Sequence, residues 1–361
     1  MKKLLSFIFF SLFTTIVVAQ LQHFDFNVTT PGTLKSLIAA RGELYIFDMK
    51  VTGNIDARDI KCLRDNNPAL AFLDLSEATI NEYNGVGGTT SAQSYAANVL
   101  PEYSFYSYKG PSALVSIKLP TAITTINRGA FRGCTYLTDI AIPNSVTNIG
   151  KCAFFGCSAF KSINIPNFVT SIGDTAFYGC SALTSLIIPN SVTRIGNCAI
   201  ANCKVLKDLT IGNSVSFMGD QAIVGCIKLE TITFLGITPP EFERNRFFYL
   251  SSLYAIYVPE NSVAAYRATK IADLFYRIIQ KFIIYDNTDV ISLTSGVKVY
   301  TSRSEIIIEG TAPRETVALY SITGKQLKTV VSSGEKLIIP VDKQGIYLVK
   351  IGGKTYKVVV K

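Results

Sequence analysis

The 361-residue chain contains no tryptophan and a single histidine, His23, and only 17% of its residues are charged. With one histidine, neither a Ser-His-Asp nor a Cys-His catalytic arrangement can be assembled. The eight cysteines show no CxxC spacing, which argues against a zinc site. Two carboxylates could suffice for sugar hydrolysis, but Asp139, Asp208 and Glu230 are spaced as on a solvent-exposed face. We expect no enzyme activity, no cofactor and no metal.

Residues 1–19, MKKLLSFIFFSLFTTIVVA, have the features of a secretory signal peptide: two lysines, an apolar run and small residues before a cut after Ala19. The apolar run ends at Val18 and is shorter than the roughly 20 residues that a spanning helix needs. No other stretch is long and apolar enough, so the mature chain is predicted to have no transmembrane segment. We expect a protein exported to the cell surface or the medium, with periplasmic retention as the alternative.

A phrase with a period of 23 residues runs through the middle of the chain. It returns at Leu119, Ile142, Ile165, Ile188 and Ile211, and two clear copies read IPNSVTNIGKCAFFGCSAFKSIN and IPNFVTSIGDTAFYGCSALTSLI. A fixed period of this length indicates a solenoid, in which each repeat covers the apolar face of its neighbour. Such a repeat usually forms an extended binding surface.

Each copy has the same predicted parts. A segment such as LTSLIIP alternates like a half-buried strand and ends at proline, a second extended piece reads VTxIG, and AFxGC forms a turn with Phe and Cys inward. Five cysteines share one repeat position: Cys134, Cys157, Cys180, Cys203 and Cys226. Neighbouring rungs of a solenoid lie ~4.8 Å apart with parallel side chains, which disfavours disulfides. We therefore expect a column of buried free thiols that act as small apolar side chains.

The repeats are flanked by atypical segments that are expected to close the ends of the solenoid. Residues 20–99 form the predicted N-terminal cap, with a helix, a strand, a second helix capped by Asp56 and a further strand. The glycine-rich residues 81–95 are expected to be a long surface loop. Residues 100–284 include a degenerate first copy, the solenoid and a C-terminal cap, whose strand ends at Pro259 before a helix that starts near Asn261.

The end of the chain forms a separate predicted unit. A polar linker at residues 285–296 leads to residues 297–361, whose alternating segments predict a small all-β sandwich. Residues 298–361 carry 11 Lys/Arg and 5 Asp/Glu. Because these lysines alternate with Val, Ile and Tyr, they fit the wet face of a sheet, and we expect no nucleic-acid partner.

The pattern LxxIxIPxSVTxIGxxAFxxC resembles the BspA-type leucine-rich repeats of bacterial surface proteins, with about five clean copies over residues 119–233. The flanking segments resemble the caps of that family. Through VALYSITGKQL, GIYLVKI and YKVVVK, roughly the last 70 residues resemble the C-terminal sorting domain that the type IX secretion machinery of Bacteroidetes recognises. The resemblance implies an α/β repeat solenoid of short strands and turns with capping elements, a protein ligand, and contact with the secretion machinery through the C-terminal domain.

The expected binding surface is the row of outward positions on the repeat strands. The candidate binding residues are Asp139, Lys161, Asn164, Ile187, Lys207, Asp208 and Glu230. We expect a secreted or cell-surface protein that mediates protein–protein interaction or adhesion to a host or bacterial surface protein. A carbohydrate-binding or cell-envelope enzyme-associated module is the alternative, although tryptophan, the usual stacking platform, is missing. A solvated sheet face without a ligand would show the same pattern.

Overall fold

In the computed structural model, the described residues are 22–42, 45–91, 94–106, 112–243, 249–269, 279–282, 291–292, 298–302, 305–309, 311–321, 326–334, 336–341, 345–351 and 354–360. The chain divides into two compact units, residues 1–280 and 281–361. The predicted signal peptide and most of the predicted linker at 285–296 lie outside the described residues.

The N-terminal part of the first unit contains the following elements: β1 (His23–Val28), α1 (Leu34–Arg41), β2 (Asp48–Ile55), α2 (Ala57–Asn66), β3 (Phe72–Asp74), β4 (Ala78–Ile80), β5 (Tyr83–Asn84) and β6 (Ser94–Tyr95). The helix, strand, helix and strand expected in the cap are thus confirmed. β1 was not predicted, although HFDFNV alternates between exposed and buried positions. β5 and β6 form an antiparallel hairpin inside the segment that was predicted to be a plain loop.

The repeat region consists of short strands: β7 (Val99–Leu100), β8 (Ser116–Lys118), β9 (Thr125–Ile126), β10 (Asp139–Ala141), β11 (Asn148–Ile149), β12 (Ser171–Ile172), β13 (Ser185–Ile188), β14 (Arg194–Ile195), β15 (Asp208–Ile211), β16 (Phe217–Met218), β17 (Thr231–Phe234) and β18 (Glu241–Phe242). The C-terminal cap has β19 (Ala255–Pro259), a 3₁₀ turn (Glu260–Ser262) and α3 (Val263–Arg267), and β20 (Ile279–Phe282) follows. The predicted strand and helix of this cap are therefore confirmed.

The carboxylate of Asp59 joins the two cap helices. It accepts hydrogen bonds from the backbone N–H groups of Gly32 (2.6 Å) and Leu34 (2.9 Å) at the start of α1, and from that of Asp56 (3.0 Å). Asp56 accepts from the N–H of Arg58 at 2.8 Å, which confirms it as the N-cap of α2 in a capping box. Burial raises the pKa of Asp59, although these N–H donors favour its charged form.

The VTxIG segments of successive copies form one parallel sheet, in the order β18-β16-β14-β12-β11-β9-β7. Asn148 pairs with Ser171 and Ile149 with Ile172, so each residue lies beside its equivalent 23 positions on. The central strands β9, β11, β12 and β14 therefore repeat an inward Ile and an outward polar residue, whereas Leu100, Met218 and Phe242 take the place of the Ile in β7, β16 and β18. The repeat period explains the register of the central strands but not the pairing of β7 and β18 at the two ends.

The second ladder, made from the LxxIxIP segments, is interrupted. It consists of β1-β2-β3-β8-β10 and, separately, β13-β15-β17-β19-β20. The strand expected in the copy at residues 161–165 does not form. The outward residues of that copy are Lys161, Ser162 and Asn164, and lysine and asparagine have low strand propensity. The chain path nevertheless continues, because the N–H of Thr184 donates to the carbonyl of Lys161 at 3.1 Å.

The core contains two stacked columns. Phe105, Phe131, Phe154 and Phe177 are buried with neighbouring ring centroids 5.3–5.4 Å apart and ring planes within 13° of parallel. Offset stacking at this spacing is favourable beyond the area that is buried. The predicted inward orientation of the AFxGC phenylalanines is therefore confirmed.

The cysteine column lies beside the phenylalanine column. All eight cysteines are free, and the five that share a repeat position are buried, as predicted. Each thiol also donates to the backbone carbonyl of an earlier copy, for example Cys157 to Phe131 (3.1 Å) and Cys180 to Phe154 (3.3 Å). Burial raises the pKa of Cys180 to about 12. The cysteines are thus weak hydrogen-bond donors as well as small apolar side chains.

The described strands of the second unit are β21 (Ile291–Ser292), β22 (Lys298–Ser302), β23 (Glu305–Glu309), β24 (Thr316–Ser321), β25 (Gln326–Val331), β26 (Leu337–Pro340), β27 (Gly345–Ile351) and β28 (Lys354–Val360). They form two antiparallel sheets, β21-β22-β23-β26 and β25-β24-β27-β28. A separate apolar core includes Val299, Ile308, Val317 and Val349. This arrangement agrees with the predicted small all-β unit.

Candidate binding surface

The seven predicted binding residues all lie on one side of the solenoid. We call this side the strand face. It consists of the outward positions of β8, β10, β13, β15, β17 and β19, the residues directly before the last three of these strands (Lys207, Glu230 and Tyr254), and residues 161–164. Asp139, Lys161, Asn164, Lys207 and Asp208 are exposed, whereas Ile187 and Glu230 are half-buried. The strand face is outward because the alternate residues of each strand, such as Leu186, point into the core.

Three of the seven residues lie together on two neighbouring rungs. The side chains of Lys207 and Glu230 make an ion pair at 3.4 Å, with 60% and 41% of these side chains exposed. Asp208 accepts a hydrogen bond from the hydroxyl of Thr231 at 2.6 Å. An exposed pair of this kind adds little stability, about 0–1 kcal/mol, so these charges can turn to a partner at low cost.

The other four predicted residues lie on three further rungs of the face. Asp139 lies beside Ser116, and Ile187 lies beside Thr210 on β15. Lys161 and Asn164 belong to the copy that forms no strand. Thr210 is only 6% exposed, although its position alternates outward, so the face is not uniformly open there.

Sequence reasoning missed a charged extension of the face at its N-terminal end. His23 contacts Asp48 at 3.0 Å and Asp25 at 3.3 Å, and the hydrogen bond with Asp48 raises the pKa of His23 despite some burial. Lys118 pairs with Asp74 at 2.7 Å. Burial opposes ionisation of Asp74, but hydrogen bonds from Lys118 and Ser76 outweigh it and lower its pKa to about 2. The alternation of HFDFNV and DMKVTGNI carried the signal for this extension.

Two tyrosines at the other end of the face were also missed. Tyr254 is 56% exposed, and its N–H donates to the carbonyl of Glu230 at 3.1 Å. Tyr257 lies beside Thr233, and burial raises its pKa. Tyr254 and Tyr257 are three residues apart, so the alternation of a strand could not have placed both on this face. The strand face therefore changes from charged at its start to aromatic at its end.

Within the described residues, no group of three or more His, Cys, Asp or Glu side chains is arranged to hold a metal ion. An open cleft of about 480 Å³ in the second unit is lined by Glu315, Tyr320 and Lys350 among others, and it presents a single carboxylate. A hydrolase with two acids needs a second one. None of the described helices is long and apolar enough to span a membrane.

Comparison with known proteins gives a family and several structural likenesses. The model of the BspA type leucine-rich repeat region matches residues 99–230 and 170–292 in six copies, which together span more than half of the chain. No curated protein matches the chain.

Three solved structures are similar to parts of the chain. A leucine-rich repeat protein of T. pallidum is 28% identical over 48% of this chain and 77% of its own, with a TM-score of 0.41. A leucine-rich repeat protein of Bacteroides ovatus is 24% identical over 47% of this chain and 61% of its own, with a TM-score of 0.30. A leucine rich cell surface protein of Faecalibacterium prausnitzii is 20% identical over 73% and 79%, with a TM-score of 0.28. On the extent of the family match and the repeat geometry, the chain belongs to the BspA type leucine-rich repeat family.

Proposed function

We propose that this chain is a secreted or cell-surface protein, without enzyme activity, that binds another protein through the strand face. The face runs along the parallel strands and carries mixed charges and small polar groups rather than a deep pocket. Small-molecule sites are usually concave and mostly apolar, whereas an open polar face fits a broad protein surface. Export is supported by the signal-peptide features of residues 1–19 and by the family of the repeats.

The exposed group of Lys207, Asp208 and Glu230 is the observation that carries this proposal. Both signs of charge lie within one or two rungs, at 3.4 Å between Lys207 and Glu230. Charges arranged in this way favour partners with a complementary pattern and speed association. The partner that we propose is a surface protein of a host or bacterial cell, and the proposed role is adhesion or scaffolding.

The test uses a photo-crosslinking residue at Asn164 on the strand face. The matched control places the same residue at Thr147, which is also exposed but lies beside the VTxIG sheet. After illumination on intact cells, discrete protein adducts from the Asn164 position and none from Thr147 are expected. Equal adducts from both positions, or none, would contradict the proposal. Adducts that contain glycan but no protein would favour the carbohydrate-binding alternative.

We further propose that the second unit directs export through the type IX secretion machinery. Its strand pattern and the phrases VALYSITGKQL and GIYLVKI support this role, because they resemble the sorting domain. The repeat unit has its own continuous core and does not need the second unit in order to bury apolar residues. Removal of the second unit should therefore change where the protein is located while the repeat unit stays folded.

A further inference from the structure

A second set of exposed groups lies on the AFxGC turns, away from the strand ladder. We call it the aromatic–arginine stripe and define it by six residues: Tyr103, Tyr106, Arg128, Arg132, Phe155 and Tyr178. They come from four successive copies of the repeat, and all are at least partly exposed to solvent. Tyr106, Arg132, Phe155 and Tyr178 occupy the position that follows the inward phenylalanine, so stacking of the copies aligns them.

Cations alternate with rings along this stripe. The guanidinium of Arg132 lies 5.4 Å from the ring centroid of Tyr106 and 5.0 Å from that of Phe155. The ring of Phe155 stacks on Tyr178 at 4.8 Å with planes 2° apart. Arg128 lies 5.9 Å from the ring of Tyr103. These separations are within the range of cation–π contacts, which hold a guanidinium flat and expose its N–H edge.

Gly129 makes room for the first ring of the stripe. A Cβ atom at Gly129 would lie 2.7 Å from the ring of Tyr103. Its backbone has φ of 60°, but this conformation does not itself require glycine. Equivalent positions in the next four copies hold other residues with φ between 50° and 56°, namely Cys152, Thr175, Cys198 and Gln221. The glycine is therefore explained by the packing of Tyr103.

Neither guanidinium of the stripe is neutralised by a described carboxylate. No ion pair joins Arg128 or Arg132 to another residue in the part of the chain that the structure describes. The charges of other surface cations are partly matched, as for Lys151 with Asp174 at 3.5 Å. Two guanidinium groups held by rings and left without an anion form a site for a pair of carboxylates, which bind arginine through two parallel N–H···O bonds.

We propose that the aromatic–arginine stripe binds an acidic segment of a partner protein, with carboxylates at Arg128 and Arg132 and an apolar or aromatic side chain beside Phe155 and Tyr178. The cations are confined to this end of the turns. The column of Arg128 continues with Lys151, Asp174, Asn197 and Asp220, so carboxylates follow within two rungs.

A long polyanion needs many cations along its path for high affinity. On this surface it would instead be repelled by the carboxylates that follow Arg128 and Lys151. Glu102 also lies one rung before Arg128. The local charge pattern therefore favours a short acidic peptide over nucleic acid or a sulfated glycan. This surface is separate from the strand face, so the inference does not depend on the proposed function.

The test is selection of binders from a displayed random-peptide library on the full chain, with Arg132→Gln as the counter-selection target. Enriched peptides are expected to carry two or more Asp or Glu residues next to an apolar or aromatic residue. Arg132→Gln should lower the affinity for a selected synthetic peptide by roughly tenfold to a hundredfold, because hydrogen bonds to a charged group are lost. Arg132→Lys should also weaken it, because an ammonium lacks the planar fork.

Lys204→Gln is the control for net charge, since Lys204 is an exposed cation outside the stripe. It should leave peptide affinity unchanged, and thermal unfolding of each variant should match that of the parent chain. The inference is wrong if no acidic peptides are enriched, or if they bind the Arg132→Gln chain equally well. If Lys161→Gln, and not Arg132→Gln, abolishes peptide binding, the peptides bind the strand face. That result would support the proposed function and contradict this inference. Single-stranded DNA or heparin that binds more tightly than the peptides through Arg132 would also overturn the inference.

Discussion

Replacement of Phe154 by alanine should destabilise the repeat unit strongly. Its ring is fully buried and has three ring neighbours: Phe131 and Phe177 at 5.4 Å and Phe160 at 5.7 Å. A buried Phe→Ala change costs about 3–5 kcal/mol of unfolding free energy. Because aromatic pairs add about 0.5–1.5 kcal/mol each beyond buried area, we expect a value near the upper end of that range.

Two other phenylalanines sharpen this prediction. Phe177 is equally buried, and the equivalent position of the next copy holds Ile200 rather than a phenylalanine, so Phe177→Ala should cost less than Phe154→Ala by roughly 0.5–1.5 kcal/mol. Phe168 lies in the same repeat block and is 62% exposed, so Phe168→Ala should stay within about 0.5 kcal/mol of the parent.

Urea unfolding of the full chain, followed by circular dichroism, measures these differences through the midpoint at unchanged slope. A loss below about 1 kcal/mol for Phe154→Ala would refute the stacked column as a main source of stability. So would equal losses for Phe154→Ala and Phe168→Ala, because the latter removes no core contact.

Three further predictions follow from the structure. Burial raises the pKa of Cys134 and Cys180 to about 12, so an aromatic disulfide reagent at pH 8 should not label these thiols in the folded chain. After denaturation without reductant, eight thiols per chain should react, and recovery of far fewer thiols would indicate disulfides. Hydrogen bonds from Lys118 and Ser76 outweigh burial and lower the pKa of Asp74 to about 2, so the stabilisation by the Asp74 carboxylate is fully present above the unfolded value near 4 and is lost as pH falls through 2. The stability difference between the parent and Asp74→Asn should therefore shrink between these values in acid-unfolding curves, and a constant difference would contradict this. Deletion of residues 317–361 should leave the repeats folded but prevent display at the cell surface, as measured by surface protease accessibility; continued display would argue against a sorting role.

The 23-residue period was sufficient to predict the repeat core. When a phrase returns at a constant spacing, equivalent residues adopt the same local conformation and must stack in register. Phe154 lies on Phe177, and Cys157 lies in the column of Cys180, as the spacing predicts. The N-cap at Asp56 was also readable, because a capping box is a local interaction within four residues.

Departures from the repeat needed the tertiary structure. The copy with Lys161 and Asn164 shares the phrase but does not form its strand, and β1 completes the ladder from outside the repeat. The hydrogen bond from Cys180 to the carbonyl of Phe154 also escaped sequence reasoning.

The candidate binding surfaces show the same division. Alternation within β15 was enough to place Asp208 outward, because successive side chains of a strand point to opposite faces. Lys207 and Glu230 come directly before β15 and β17, so alternation does not explain their outward positions. It did not reveal that Lys207 and Glu230 form an ion pair. Nor could it show that Arg132 is held between the rings of Tyr106 and Phe155. Such contacts join residues 23 or more positions apart, and their geometry exists only after neighbouring rungs have packed together.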